Sequence, residues 1–190
     1  MPETTFTLSP NNPSDAEITS SSGEVQYRVV TTREDKTVTR VFNSAGSVIA
    51  SLEWGIGSPD RVKYGDEKAR SMTEWMKKSP LPFKKYISFT DDQRKEYHWK
   101  GLEETQALEL YSEHDHYETA ICRFENGDTG SSTDASVAWI TLSSRALEIQ
   151  DLVIVSFLFL EKGKREHHGE KHTTSTSANI ITSLFRASQA

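Results

Sequence analysis

The chain has 190 residues, 35% of them hydrophobic, with 22 lysines and arginines against 28 acids and a formal net charge of −6. That length fits one domain of ordinary size with a core large enough to hold without staples, and the acid excess argues against general nucleic-acid binding, which needs basic surface to neutralise phosphates. A single cysteine, Cys122, excludes an intramolecular disulfide and suits a reducing compartment.

The start, MPETTFTLSPNNPSD, lacks a basic stretch followed by an apolar one, so no secretory leader is expected. Residues 4–8 read as a short strand, and Asn11, Asn12 and Pro13 open a turn-rich run that Gly23 closes. In 24–32, Val25, Tyr27 and Val29 share one face; in 37–43, Val38 and Phe42 do, with Arg40 between them. After the turn Asn43-Ser44-Ala45-Gly46, residues 47–54 set Val48, Ala50, Leu52 and Trp54 against Ser51 and Glu53. A period of two residues is the mark of half-buried strands joined by hairpins.

Residues 61–64 continue the pattern. Met72, Trp75 and Met76 fall at helical spacing, and Ser79-Pro80 would end a short helix there. Strands are expected at 86–89, 96–100, 107–111 and 118–124, the last with Ala120, Cys122 and Phe124 on one face. Asn126-Gly127 and a loop to Thr133 lead to a final strand, 135–142, with Val137 and Trp139 on one face and Ala138, Ile140 and Leu142 on the other. About ten to twelve short strands so closely spaced predict an antiparallel barrel or sandwich, mainly β in class.

The stretch 147–165, LEIQDLVIVSFLFLEKGKR, differs from everything before it. Residues 152–160 are apolar except for Ser156. A helix with no polar face belongs inside a core or a membrane, and this run is far shorter than the roughly 20 residues a bilayer requires. A buried central strand would have the same composition, but the ends favour a helix near 147–162. Ser143 or Ser144 can cap it, Glu148 and Asp151 suit the positive end of its dipole, Lys162, Lys164 and Arg165 the negative end, and Gly163 the stop. The Ser156 hydroxyl can bond back to the Leu152 carbonyl. The domain is expected over 1–165. Residues 166–190 read as a polar tail rich in His, Thr and Ser, with Ile180, Ile181, Leu184 and Phe185 spaced for a short terminal helix.

The segments FTLSPNNP, IASLEW, WMKKSPLPF, YHWKG, LELY and EIQDLVIVSFLFLEKGKR, spread over 6–165, resemble an uncharacterised domain family widespread in mushroom-forming basidiomycete fungi. Many antiparallel strands around one apolar helix near the C-terminus resemble the tubby C-terminal-like superfamily, with its tubby domains, LURP-one-related proteins and phospholipid scramblases. The resemblance implies a tubby-like β-barrel around a buried helix and a fungal origin. It implies no reaction and no cofactor. In tubby domains basic side chains on the barrel bind phosphoinositides, an analogy of surface rather than of matched positions.

Three groups of residues carry candidate chemistry. Lys77, Lys78, Lys84 and Lys85, interleaved with Trp75, Phe83 and Tyr86, form a basic patch able to meet anionic phospholipid headgroups, with solvated surface as the plainer reading. Trp99, beside Tyr97 and His98, is the candidate for a partly exposed ligand platform; Trp54 and Trp139 lie on faces that read as core. His114 and His116, two apart, would share a strand face and hold a metal with a third ligand from His98 or the tail, although a polar hairpin is the simpler account. Asp91-Asp92 and Glu103-Glu104 are paired carboxylates flanking turns, Cys122 reads as a small buried hydrophobe, and His167, His168 and His172 as tail. No motif of the hydrolases, P-loop proteins, dinucleotide binders or zinc sites occurs.

The expectation is a cytoplasmic module, peripheral at membranes, that binds an anionic phospholipid or another small ligand on the outer wall or rim of a filled barrel. Two alternatives stand beside it: an enzyme with a pocket at a barrel end built from His98, His114, His116 and nearby carboxylates, and a protein-interaction module working through its loops.

Overall fold

The computed structural model describes residues 3–55, 58–81, 83–103, 105–127 and 137–169, with no side chains described for 167–169. The alternating stretches of the first half become strands β1 (Glu3–Ser9), β2 (Ala16–Thr19), β3 (Val25–Arg33), β4 (Thr37–Asn43), β5 (Val48–Trp54), β6 (Arg61–Tyr64) and β7 (Arg70–Ser71). A single-turn helix α1 (Met72–Trp75) follows, then β8 (Lys77–Lys78), β9 (Ile87–Thr90), β10 (Glu96–Lys100), β11 (Glu109–Ser112), β12 (Ala120–Asn126) and β13 (Ala138–Ser143). Two helices, α2 (Ser144–Glu148) and α3 (Gln150–Gly169), complete the described chain.

All thirteen strands form one sheet in the order β7-β6-β5-β4-β3-β2-β1-β13-β12-β11-β10-β9-β8. Every ladder is antiparallel, so the sheet is two meanders joined where β1 pairs β13, from Glu3 opposite Ser143 to Leu8 opposite Ala138. The expected closed barrel is not formed, because β7 and β8 are edges that do not pair with each other. Between them α1 holds the chain in a helical turn, fixed by a capping box of Ser71 and Glu74, where a closing ladder needs extended backbone. Met72 and Trp75 of α1 are buried, and the helix ends at Trp75, well before Ser79-Pro80.

The inner face follows the pattern with instructive exceptions. Ala50, Leu52 and Trp54 point inward as expected, as do Ala138, Ile140 and Leu142, while Trp139 turns outward and is 40% exposed. Val25 and Val48, expected on core faces, are exposed. Each lies just past a bulge: Thr19 pairs Val25 with Gln26 left over, and Phe42 pairs Val48 with Ile49 left over. One extra residue reverses the face of everything beyond it. On β4 the inward residues are Thr39 and Val41 rather than Val38 and Phe42, because Thr39 and Val41 sit opposite the buried Leu52 and Ala50. Thr39 is tolerated there because its Oγ1 accepts a 2.8 Å bond from Trp54 Nε1.

The apolar run is a helix, as expected, but the expected cap serves a separate short helix before it. Ser143 caps α2, accepting from the Ala146 N–H, and the chain breaks at Ile149 before α3 begins. Residues 153–160 of α3 are all buried, so the helix has no solvent face over two turns. Strands far apart in the sheet touch it: Trp54 of β5 stacks on Phe159 at 5.5 Å, and Trp99 of β10 and Phe124 of β12 pack on Phe157. The sheet therefore wraps the helix. Each such buried apolar side chain contributes roughly 1.5–3 kcal/mol before entropy is set against it.

Gly163 does not stop the helix, which continues to Gly169, beyond the expected limit at 162. The basic residues expected as dipole partners are tied to the sheet instead. Lys162 Nζ lies 3.8 Å over the Trp54 ring. Lys164 Nζ donates to the carbonyls of Gly101 and Gln106, and Arg165 grips both the backbone carbonyl and the side-chain oxygen of Asn11 at 2.6 Å. These contacts lie on both sides of the glycine and hold its turn helical. Among the described residues no helix is long and apolar enough to cross a membrane. The expectations for 128–136, 170–190, Glu104 and the His167 and His168 side chains lie outside what is described.

Candidate outer-wall groove around His98

On β10 the alternation is Glu96, His98 and Lys100 outward, Tyr97 and Trp99 inward. Trp99 is therefore core. It has no exposed surface, and its Nε1 donates to Ser156 Oγ at 3.0 Å, so it is not the exposed platform expected. The pattern of β10 carried that information, since Tyr97 and Trp99 are the apolar pair of the strand.

His98, on the outer face, is nevertheless only 7% exposed. Its imidazole lies between two phenol rings, Tyr86 at 3.9 Å and Tyr117 at 3.8 Å, the second within 1° of parallel. Tyr86 arrives from the β8–β9 hairpin and Tyr117 from the turn after β11. That turn is a 3-10 helix, Glu113–Asp115, capped by Ser112, whose Oγ accepts from the His114 N–H. The His116 N–H bonds to the Glu113 carbonyl and the Tyr117 N–H to the Ser112 carbonyl, both at 3.0 Å. The closure needs left-handed backbone at His116 and Tyr117, with φ of 56° and 62°, and neither is glycine. Such residues cost about 1–2 kcal/mol each, which the surrounding contacts must offset. One of these is the Tyr117 hydroxyl on Glu96 Oε2 at 3.3 Å.

The stack floors an open groove of about 610 Å³. Lys84, Lys85, Lys100 and His116 rim it, with Glu96 the one acid among the described residues of its lining. Lys100 Nζ rests 3.7 Å over the Tyr111 ring and reaches the Tyr117 carbonyl at 3.4 Å. Lys85 is paired with Glu103 at 2.7 Å, an exposed ion pair that holds the Glu103 carboxyl below its ordinary range. His98 Nε2 is buried without a hydrogen-bond partner, 3.5 Å from Glu96 Oε1. Burial pushes the imidazole pKa down, Glu96 opposing, which favours the neutral ring.

The groove brings Lys84, Lys85, His98 and His116 together from distant parts of the sequence. It leaves out the other residues expected to act. Lys77 sits opposite Ser88 and Lys78 opposite Ile87, so the two leave β8 on opposite faces. Lys78 Nζ is buried without a hydrogen-bond partner, and burial lowers its pKa. His114 lies in the 3-10 turn rather than on a strand, so it does not share a strand face with His116, and among the described residues no three His, Cys, Asp or Glu side chains are placed to hold a metal. Cys122 is buried and its thiol pKa pushed up, as befits a core residue.

A second cavity, of about 590 Å³, opens where α2 meets α3 and contains Asp91 and Asp92. Several of its polar groups already have partners. Asp91 accepts from the Lys95 N–H and the Tyr97 hydroxyl, both at 2.9 Å, and faces Arg145 at 3.4 Å. The Tyr27 hydroxyl donates to Asp151 at 2.6 Å and accepts from Gln150. Burial raises the pKa of Tyr27, and that of Tyr97 to about 12. The contacts of Tyr27 with Asp151 and Gln150 brace the start of α3, and those of Asp91 with Arg145 hold α2 against the sheet.

A family model described as a family of unknown function (DUF6593) matches residues 11–166. No curated protein matches the chain. Among solved structures, the X-ray structure of a protein from Arabidopsis thaliana is similar at 11% identity with a TM-score of 0.42, over 80% of this chain and 88% of that one.

Proposed function

From the premise that this chain belongs to the family of unknown function DUF6593, we propose that it is a non-enzymatic binding module whose outer-wall groove holds a small phosphate-bearing anion. The observation that carries this reading is the groove itself: Lys84, Lys85 and Lys100 line it together with His98, whose buried Nε2 makes no hydrogen bond and has Glu96 Oε1 3.5 Å away. Ammonium groups are point charges suited to phosphate oxygens, and a neutral imidazole can donate to one or accept from a phosphate hydroxyl. The size of the groove is in the range of small-ligand sites. The interior cannot compete for a ligand, because α3 fills it.

A tubby-like architecture and a fungal origin belong to the same reading. A single antiparallel sheet wrapped on one buried helix supports the first, and the sequence motifs support the second. Peripheral placement at an anionic membrane would follow from a headgroup as ligand.

Titration calorimetry with inositol trisphosphate and with glycerophosphoserine tests the proposal. Saturable binding that weakens at least about tenfold in Lys84→Glu/Lys85→Glu is expected, since charge-assisted contacts carry it. Binding unaltered by that double change, or none to either compound, would sink it.

A further inference from the structure

We infer that the β8–β9 hairpin, through its described residues 79–81 and 83–86, is a wedge that seats Leu81 and Phe83 among the acyl chains of an anionic bilayer while Lys84 and Lys85 meet its phosphates. The inference rests on the anion-binding reading for its lysines and adds an apolar half that the groove does not need.

Phe83 is 76% exposed and Leu81 41%, and both stand on one hairpin tip. Among the described residues, the other large exposed apolar side chains, Val25, Val48 and Trp139, are on separate strands. The tip is a built feature. The Lys84 N–H closes it on the Leu81 carbonyl at 3.1 Å, the Ser79 N–H closes its base on the Tyr86 carbonyl at 3.0 Å, and Ser79 Oγ accepts from the Leu81 N–H at 3.2 Å. Immediately behind the apolar tip come Lys84, Lys85 and Tyr86, which line the groove. No acid occurs anywhere in residues 77–90.

That charge pattern selects the occupant. An apolar tip backed by lysines and lacking acids is complementary to an anionic bilayer, which offers hydrocarbon beneath a layer of phosphates. Two weak signals together, a buried apolar anchor and a basic patch, are what peripheral attachment requires. The Lys85–Glu103 pair is exposed, and such pairs are weak enough for a lipid phosphate to displace the acid.

Flotation of the full chain with phosphatidylcholine vesicles, with and without phosphatidylserine, tests this. The native chain should float only with the anionic vesicles. Leu81→Ser/Phe83→Ser should lose about tenfold or more of that affinity, yet bind soluble inositol trisphosphate as the native chain does. A label on Phe83→Cys, with Cys122 buried and unreactive, should shift its emission to the blue on the same vesicles. Vesicle binding equal in the serine variant and the native chain overturns the wedge, and so does absence of vesicle binding by the native chain, including the case in which Phe83 instead contacts another protein. Vesicle binding lost in the serine variant, without any affinity for soluble phosphates, keeps the wedge and removes the groove reading.

Discussion

The indole Nε1 of Trp99 donates to the Ser156 hydroxyl at 3.0 Å, joining sheet to enclosed helix by a polar bond inside the core. Ser156 in turn donates to the Val153 carbonyl at 3.1 Å, one residue nearer than the Leu152 carbonyl expected from sequence. Ser156→Ala leaves the buried indole N–H without an acceptor and should lower stability by about 1–3 kcal/mol. Adding Trp99→Phe should cost less in that background than in the native chain. Urea unfolding of the four chains checks the coupling, and strict additivity would contradict it.

Val155 has no exposed surface. Val155→Asp buries a charge that nothing pairs and should abolish folding. Leu158→Ala should fold with a loss of about 2–5 kcal/mol, the cost of a core cavity. Circular dichroism of the two separates the outcomes, and a folded Val155→Asp would show that the helix is not enclosed.

His98 predicts a pH dependence. Burial holds its pKa below the ordinary value near ~6.5, while Glu96 and Glu113 act against that shift and Lys100 with it. As pH falls through about 6.5 the unfolded chain takes up the proton first, so it binds more protons than the folded one. Stability therefore falls as pH drops below about 6.5 and levels off above about 7. His98→Gln should flatten that slope by the share due to this residue. Denaturation midpoints from pH 5 to 8 measure it, and identical profiles for both chains would refute the assignment.

Asp91 and Arg145 make a fourth case. The Asp91 side chain is almost wholly buried and its Oδ2 faces Arg145 and the Tyr97 hydroxyl. Removing the cation with Arg145→Met should cost about 3–5 kcal/mol, because it leaves a buried carboxylate short of its counter-charge. Asp91→Asn should cost less. Thermal unfolding ranks the two, and the opposite order would mean that Arg145 contributes only through its exposed contact with Glu148.

The helix was legible because no other described stretch has eight consecutive buried residues like 153–160, although Ser143, expected to cap it, caps the separate α2 instead. Its true length was not, since a glycine at 163 reads as a stop until Asn11, Gly101 and Gln106 are seen to hold the next residues in place. Most strands were legible from alternation. Bulges were not, because one surplus residue such as Ile49 leaves no mark in composition yet turns Val48 outward. The groove was half legible. Lys84, Lys85, His98 and His116 were candidates for separate reasons, but their meeting depends on Tyr117 adopting a left-handed backbone that local sequence gives no reason to expect. Trp99 was misjudged although its own strand carried the answer, since a residue two positions from a buried tyrosine on a strand shares that tyrosine's face.

The pairing of β1 with β13 sets a timetable for the nascent chain. Strand β1, made well before β13, needs for one of its two edges a partner spanning Ala138–Ser143. At ordinary elongation rates that partner is made on the order of ten seconds later, and α3 follows it. Until then the inward side chains of β1–β7 have no helix to close on. The early meander must persist with an open edge and an uncovered apolar face, a state that invites chaperones or pairing with another chain. Completion then requires contacts very distant in sequence, which places refolding in the slow range of roughly milliseconds to seconds. A destabilised variant of α3 would thus show itself first as aggregation during synthesis rather than as a lowered melting point.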